Sequence, residues 1–120
     1  MVIADLKSCA SASKGAIAKA VASYGYHIQA PWYIDAVRAM GLDEDPAFVL
    51  VFVEKEPPYL ITVAHLDDAA LATGRALGRR AIEMYRDCAE SGIWPAYSSH
   101  PTDIETISLP RWAQAGEDYS

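Results

Sequence analysis

Three features of the sequence predict an α/β fold built on a three-stranded mixed sheet. A short apolar run opens the chain, a second run at Ala47 to Val53 is apolar at every residue, and helix-period stretches fill the space between and after them. Helices lying between two strands imply a right-handed crossover, so strands one and two run parallel. A third β-rich run follows strand two too closely for another crossover and pairs with it antiparallel.

Val2 to Leu6 is the first strand, and the small polar stretch Ser8 to Ser13 can cap a helix. After Ser13, the residues Ala16, Ile17, Ala20 and Val21 line one helical face until Gly25 ends it. A second helix runs from about His27 to Met40 and stops at Gly41; Pro31 falls in its first positions, where a missing N–H costs little. Asp43 to Pro46 is a turn, and Ala47 to Val53 reads as a central strand buried on both faces. Glu54 to Pro58 is a charged, proline-stopped connection to Tyr59 to Leu66, the hairpin partner. Asp67 and Asp68 open a long helix to about Glu90, with acids at its positive end and Gly92 beyond its end. From Ile93 the tail is irregular and aromatic, with Trp94, Tyr97 and Trp112, and Ile104 to Leu109 suggests one more strand.

A length of 120 residues predicts one domain, 1–120, and 52% hydrophobic with 22% charged residues is ordinary globular usage. No apolar run approaches a membrane span, and Asp5 and Lys7 interrupt what would be a signal sequence, so the expected location is cytoplasmic with no membrane partner. Cys9 and Cys88 lack metal or redox spacing and read as reduced thiols. His27, His65 and His100 have no ligand spacing either, and read as surface or half-buried histidines. The net charge of −6 has the wrong sign for neutralising phosphates over a broad surface, so DNA binding by the chain alone is expected to be weak. Arg75, Arg79, Arg80 and Arg86 are close enough on one helix for a local basic patch, although solvated helix surface is the simpler reading.

Asp5 and Lys7 stand two apart on a strand, so both side chains project from one face. A carboxylate that binds a divalent cation beside an ammonium that steadies phosphate charge suits metal-dependent phosphodiester hydrolysis. Alternating charges at a strand end are more often simply solvent-facing. Gln29 and Tyr33 add weight, because they lie four apart on one helix face and can hydrogen-bond a nucleotide or a water.

Taken in order, DLKS, YGYHIQAPWY, FVLVFVEKEPPYLITVAHL, GIWPAY and LPRW resemble the C-terminal part of the RecE or exonuclease VIII family of phage exonucleases. That family belongs to the PD-(D/E)XK nucleases, and its D-L-K and Q-x-x-x-Y motifs are matched by Asp5, Lys7, Gln29 and Tyr33. The resemblance implies a truncated PD-(D/E)XK-like core, with Asp5 as metal ligand and Mg2+ as cofactor if the chain is catalytic. Such nucleases carry further acidic ligands upstream of D-x-K, and only four residues precede Asp5. The four matched residues are therefore expected to be vestigial. The expected function is that of a non-catalytic protein-binding module of phage or prophage type, for example an inhibitor of a host nucleic-acid-processing or defence complex. The alternative is a Mg2+-dependent DNA-end exonuclease whose missing ligands come from another subunit or fragment. An unpaired Val2 to Leu6 edge further predicts a homodimer through that strand.

Overall fold

The structure is a computed structural model and describes residues 1–100 and 102–114. Strand β1 (Val2–Cys9) pairs in parallel with β2 (Ala47–Glu54) along its whole length, from Val2 opposite Ala47 to Cys9 opposite Glu54. Strand β3 (Ile61–Ala64) lies antiparallel on the other side of β2, so the order is β1-β2-β3 and β1 is an edge among the described residues. The mixed three-stranded sheet is as the sequence predicts, with shifted ends. β1 continues past Leu6 to Cys9, and β3 starts later than Tyr59 because the turn is still closing there. Tyr59 has φ 59° and its N–H donates to the Glu56 carbonyl at 2.8 Å.

Helix α1 (Lys14–Tyr24) begins at Ser13, whose hydroxyl accepts the Ala16 N–H at 3.3 Å. It ends at Gly25, which adopts φ 71° and returns its N–H to the Val21 carbonyl, and helix α2 (Tyr26–Ala39) starts at the next residue. One left-handed residue therefore makes the whole α1–α2 corner. Gly25→Ala should cost about 1–2 kcal/mol in a denaturant melt, because a Cβ at positive φ meets its own backbone and here also the Ile28 side chain at 3.3 Å. An unchanged midpoint would show that the corner tolerates another conformation.

Pro31 lies deeper in α2 than the sequence implies. With the helix starting at Tyr26, the N–H that proline lacks is the one that would serve the His27 carbonyl. Helix α3 (Asp68–Ser91) presses on that carbonyl through Gly74, where a Cβ would lie 1.5 Å from His27 O. A glycine α-hydrogen occupies that direction, so a weak Cα–H···O contact takes the place of the missing helical donor.

Phe48, Leu50 and Phe52 alternate along β2 and are buried against Ile17, Val21, Ala30 and Ile34 of α1 and α2. The opposite sheet face is apolar but open: Val2, Leu6, Ile61 and Val63 are each 62–70% exposed.

The chain divides into two compact units, Met1–Arg86 and Asp87–Ser120. In the first, Asp67 Oδ1 caps α3 by accepting the Ala70 N–H at 2.8 Å, and acids open the helix as expected. In the second, α3 ends at Gly92 (φ 73°), an irregular stretch comes next, and a single turn, α4 (Arg111–Gln114), closes the described part. The strand expected at Ile104 to Leu109 is absent: these residues form no ladder, and Ile104 and Ile107 are 96% and 85% exposed. Ile104 and Ile107 are three apart, so they never shared the two-residue period that one sheet face requires. The aromatic tail is irregular as predicted, with Trp94, Tyr97 and Trp112 exposed rather than buried.

Candidate functional site

β1 carries Ile3, Asp5, Lys7 and Cys9 on the face that α1 and α2 cover, which leaves Asp5 and Lys7 about one-fifth exposed. In the sheet register, Asp5 lies beside Leu50 and Lys7 beside Phe52, so an apolar floor holds both side chains upright. Lys7 Nζ sits 3.1 Å from Asp5 Oδ2 and donates to Gln29 Oε1 at 3.0 Å. An ammonium has only donors, so it turns the Gln29 amide with its oxygen inward and its Nε2 outward. That Nε2 donates to the Tyr33 hydroxyl at 3.2 Å, and the Tyr33 ring stacks on Phe48 with centroids 6.0 Å apart. All four residues singled out in the sequence thus form one connected network bridging β1 and α2.

Asp5 Oδ2 is buried and accepts no hydrogen bond among the described residues, because Lys7 lies close to it as a charge but is not aligned as a donor. A buried carboxylate oxygen without a donor is costly in a protein interior, and it is the kind of oxygen a hard divalent cation takes up. Asp5 therefore fits as one ligand for Mg2+. Among the described residues, no three His, Cys, Asp or Glu side chains gather into a metal-binding group. Glu54, the nearest acid in sheet order, lies beside Cys9, about 13 Å along the strand from the Asp5 position at ~3.3 Å per residue. Its Oε1 accepts the Ala12 N–H at 3.0 Å and ties down the loop before α1.

One participant was not singled out in the sequence. Lys7 Nζ lies 4.4 Å over the Tyr26 ring, which leans on Phe52 and stacks with Tyr24 at 5.7 Å. The only local signal for it is the Tyr24-Gly25-Tyr26 sequence at the helix corner. The three histidines stand apart from this network, and His27 Nδ1 is buried with no hydrogen-bond partner among the described residues. A groove of about 740 Å3 lies between α2 and α3 beside Trp32, Arg75 and Arg79, and is lined by none of the four. No helix of the described residues is long and apolar enough to cross a membrane.

A family model described as a PDDEXK-like domain of unknown function (DUF3799) matches residues 1–105. No curated protein matches the chain.

Proposed function

Because the chain belongs to this family of PDDEXK-like domains, we propose that Asp5, Lys7, Gln29 and Tyr33 form the D-x-K half of a Mg2+-dependent site acting on DNA ends. In this reading the site is of the kind found in the RecE or exonuclease VIII nucleases that the sequence resembles. A carboxylate from outside residues 1–120, on another subunit or a further segment, completes it. The observation that carries this reading is the convergence of Asp5, Gln29 and the Tyr26 ring on Lys7, with an Asp5 oxygen that accepts no hydrogen bond among the described residues.

Asp5 would hold the cation, which would supply a coordinated water of lowered pKa and offset charge on the phosphate. Lys7 contributes a fixed positive charge beside it, held by Gln29 rather than left to wander on its four-carbon stem. Gln29 and Tyr33 are positioning residues in this scheme, with the Tyr33 hydroxyl, on a side chain 45% exposed, able to meet a nucleotide.

A second reading has its own support. The net charge of −6, the unpaired outer edge of β1 and the open apolar face around Leu6 and Val63 favour a protein-binding module of phage or prophage type. Its partner would be a host nucleic-acid-processing or defence complex in the cytoplasm, or a second copy joined through β1. Light scattering at high micromolar concentration should report a dimer that dissociates when Leu6 is changed to Lys; a strict monomer removes the self-pairing proposal.

Linear double-stranded DNA with Mg2+ or Mn2+ separates the two functions. The 120 residues alone should give no turnover, whereas a tagged chain isolated with its native partners should cut DNA in Mg2+ and stop in EDTA. An assembly that forms but never cuts DNA leaves the binding module as the function.

A further inference from the structure

Beside the Asp5–Lys7 network, four chain segments enclose a groove of about 420 Å3 whose lining includes Ser8, Ser11, Lys19, Tyr24, Tyr26 and Lys55. Its volume lies within the ~300–1,000 Å3 range of small-ligand pockets. The groove shares Tyr26 with the site already described, since the same ring lies under Lys7. Its position is set by the chain path. The left-handed Gly25 corner sets Tyr24 against Tyr26, and the Lys55 N–H donates to the Cys9 carbonyl at 3.1 Å, which brings the β2–β3 turn to the end of β1.

Two lysines and several hydroxyls line the groove, and no carboxylate does, in a chain where acids outnumber Lys and Arg 16 to 10. Neither Lys19 nor Lys55 is in an ion pair among the described residues. The aromatic wall is anchored at one end by Phe52, which is 1% exposed, and ends at Tyr24, which is 73% exposed. An exposed ring rigidly backed by two others, next to cations free to pair, is the combination that binds single-stranded nucleic acid: the ring stacks a base and the ammonium groups take its phosphates.

We propose that this groove binds a nucleotide of a single DNA strand immediately beside the Asp5–Lys7 site, with its base on Tyr24 and its phosphates on Lys19 and Lys55. The proposal rests on the nuclease reading for its role, by naming the substrate class as an unpaired strand end, but binding itself needs no metal and no completed site. Measured in EDTA, it stands or falls apart from cleavage.

The probe is 3′-fluorescein-labelled decathymidylate, titrated with the full 120-residue chain at low salt and followed by anisotropy. Tyr24→Ala should weaken binding about tenfold, the usual order for losing one stacked base, while Tyr24→Phe keeps it. Lys19→Ala with Lys55→Ala should also weaken it about tenfold and flatten the salt dependence by roughly 1.4 in log–log slope, at ~0.7 per phosphate contact. Arg79→Ala, in the α2–α3 groove, serves as the control and should change nothing. Circular dichroism confirms that each variant is folded. Affinity unmoved by Tyr24→Ala and by the double lysine change overturns the proposal. So does displacement of the oligonucleotide by polyglutamate at equal charge concentration, which would make the groove a site for acidic peptides.

Discussion

Lys7→Met should lower DNA cleavage by the completed site about a thousandfold while leaving the fold in place. Removing one preorganised charge or donor from a site that stabilises developing negative charge typically costs about 10²–10³ in kcat. Lys7 belongs at the upper end because it supplies the network's positive charge and is held from three sides, by Asp5, Gln29 and the Tyr26 ring. Methionine keeps most of the side-chain volume over Phe52, so a loss of rate reports charge rather than packing. Lys7→Arg should rescue poorly, since a planar fork cannot take the place of an ammonium bound end-on to one amide oxygen. Gln29→Ala should cost less, about tenfold, because it frees Lys7 without removing it. Tyr33→Phe should cost less still, removing one hydroxyl that accepts from Gln29 at 3.2 Å. If Lys7→Met and Gln29→Ala fall equally, the two act as one unit and the ranking fails.

Gly74→Ala is the substitution expected to damage the fold most. Alanine is ordinarily better than glycine inside a helix by about 1 kcal/mol. Here the new Cβ would lie 1.5 Å from the His27 carbonyl oxygen and 2.3 Å from its carbon, both backbone atoms that no rotamer can move aside. Helix α3 would have to move away from α2 and open its contacts with His27 and Ile28. Overpacking of this kind costs about 1–3 kcal/mol and occasionally more, and a backbone clash falls at the top of that range. Gly78→Ala provides the internal comparison. Its Cβ would meet the Trp32 indole nitrogen at 3.2 Å, a side chain that is 55% exposed and free to shift, so its midpoint should move little. Equal losses for the two variants would mean that α3 does not pack on α2 through Gly74.

The sheet and both crossover helices were legible in the sequence because each rests on local signals: Ser13 as a cap, Gly25 as a stop and the unbroken apolar run of β2. Asp5 and Lys7 on one face, and Gln29 and Tyr33 on one helix stripe, follow from the periods 2 and 3.6 alone. That the two pairs meet was not read from the sequence, since no periodicity fixes how a helix sits on a strand. The Gly74 contact was not anticipated, although Gly74 and Gly78 sit four apart on one stripe, because what fills the space above a glycine lies elsewhere in the chain. Tyr26 was missed for a related reason: its place under Lys7 depends on Gly25 being a one-residue corner rather than a loop. Ile104 to Leu109 misled in the opposite direction, with β-branched residues suggesting a strand where the described residues offer no paired neighbour.

If Asp5 is a divalent-cation ligand flanked by Lys7, a Mn2+ titration of the 15N-labelled chain followed by NMR line broadening will locate the cation there. Amide signals around Asp5, Leu6 and Lys7 should broaden first, the broadening should appear at lower Mn2+ when a short DNA end is added, and Asp5→Asn should abolish it with the rest of the spectrum unchanged. Broadening spread over the acidic surface and indifferent to Asp5→Asn would contradict that role for Asp5.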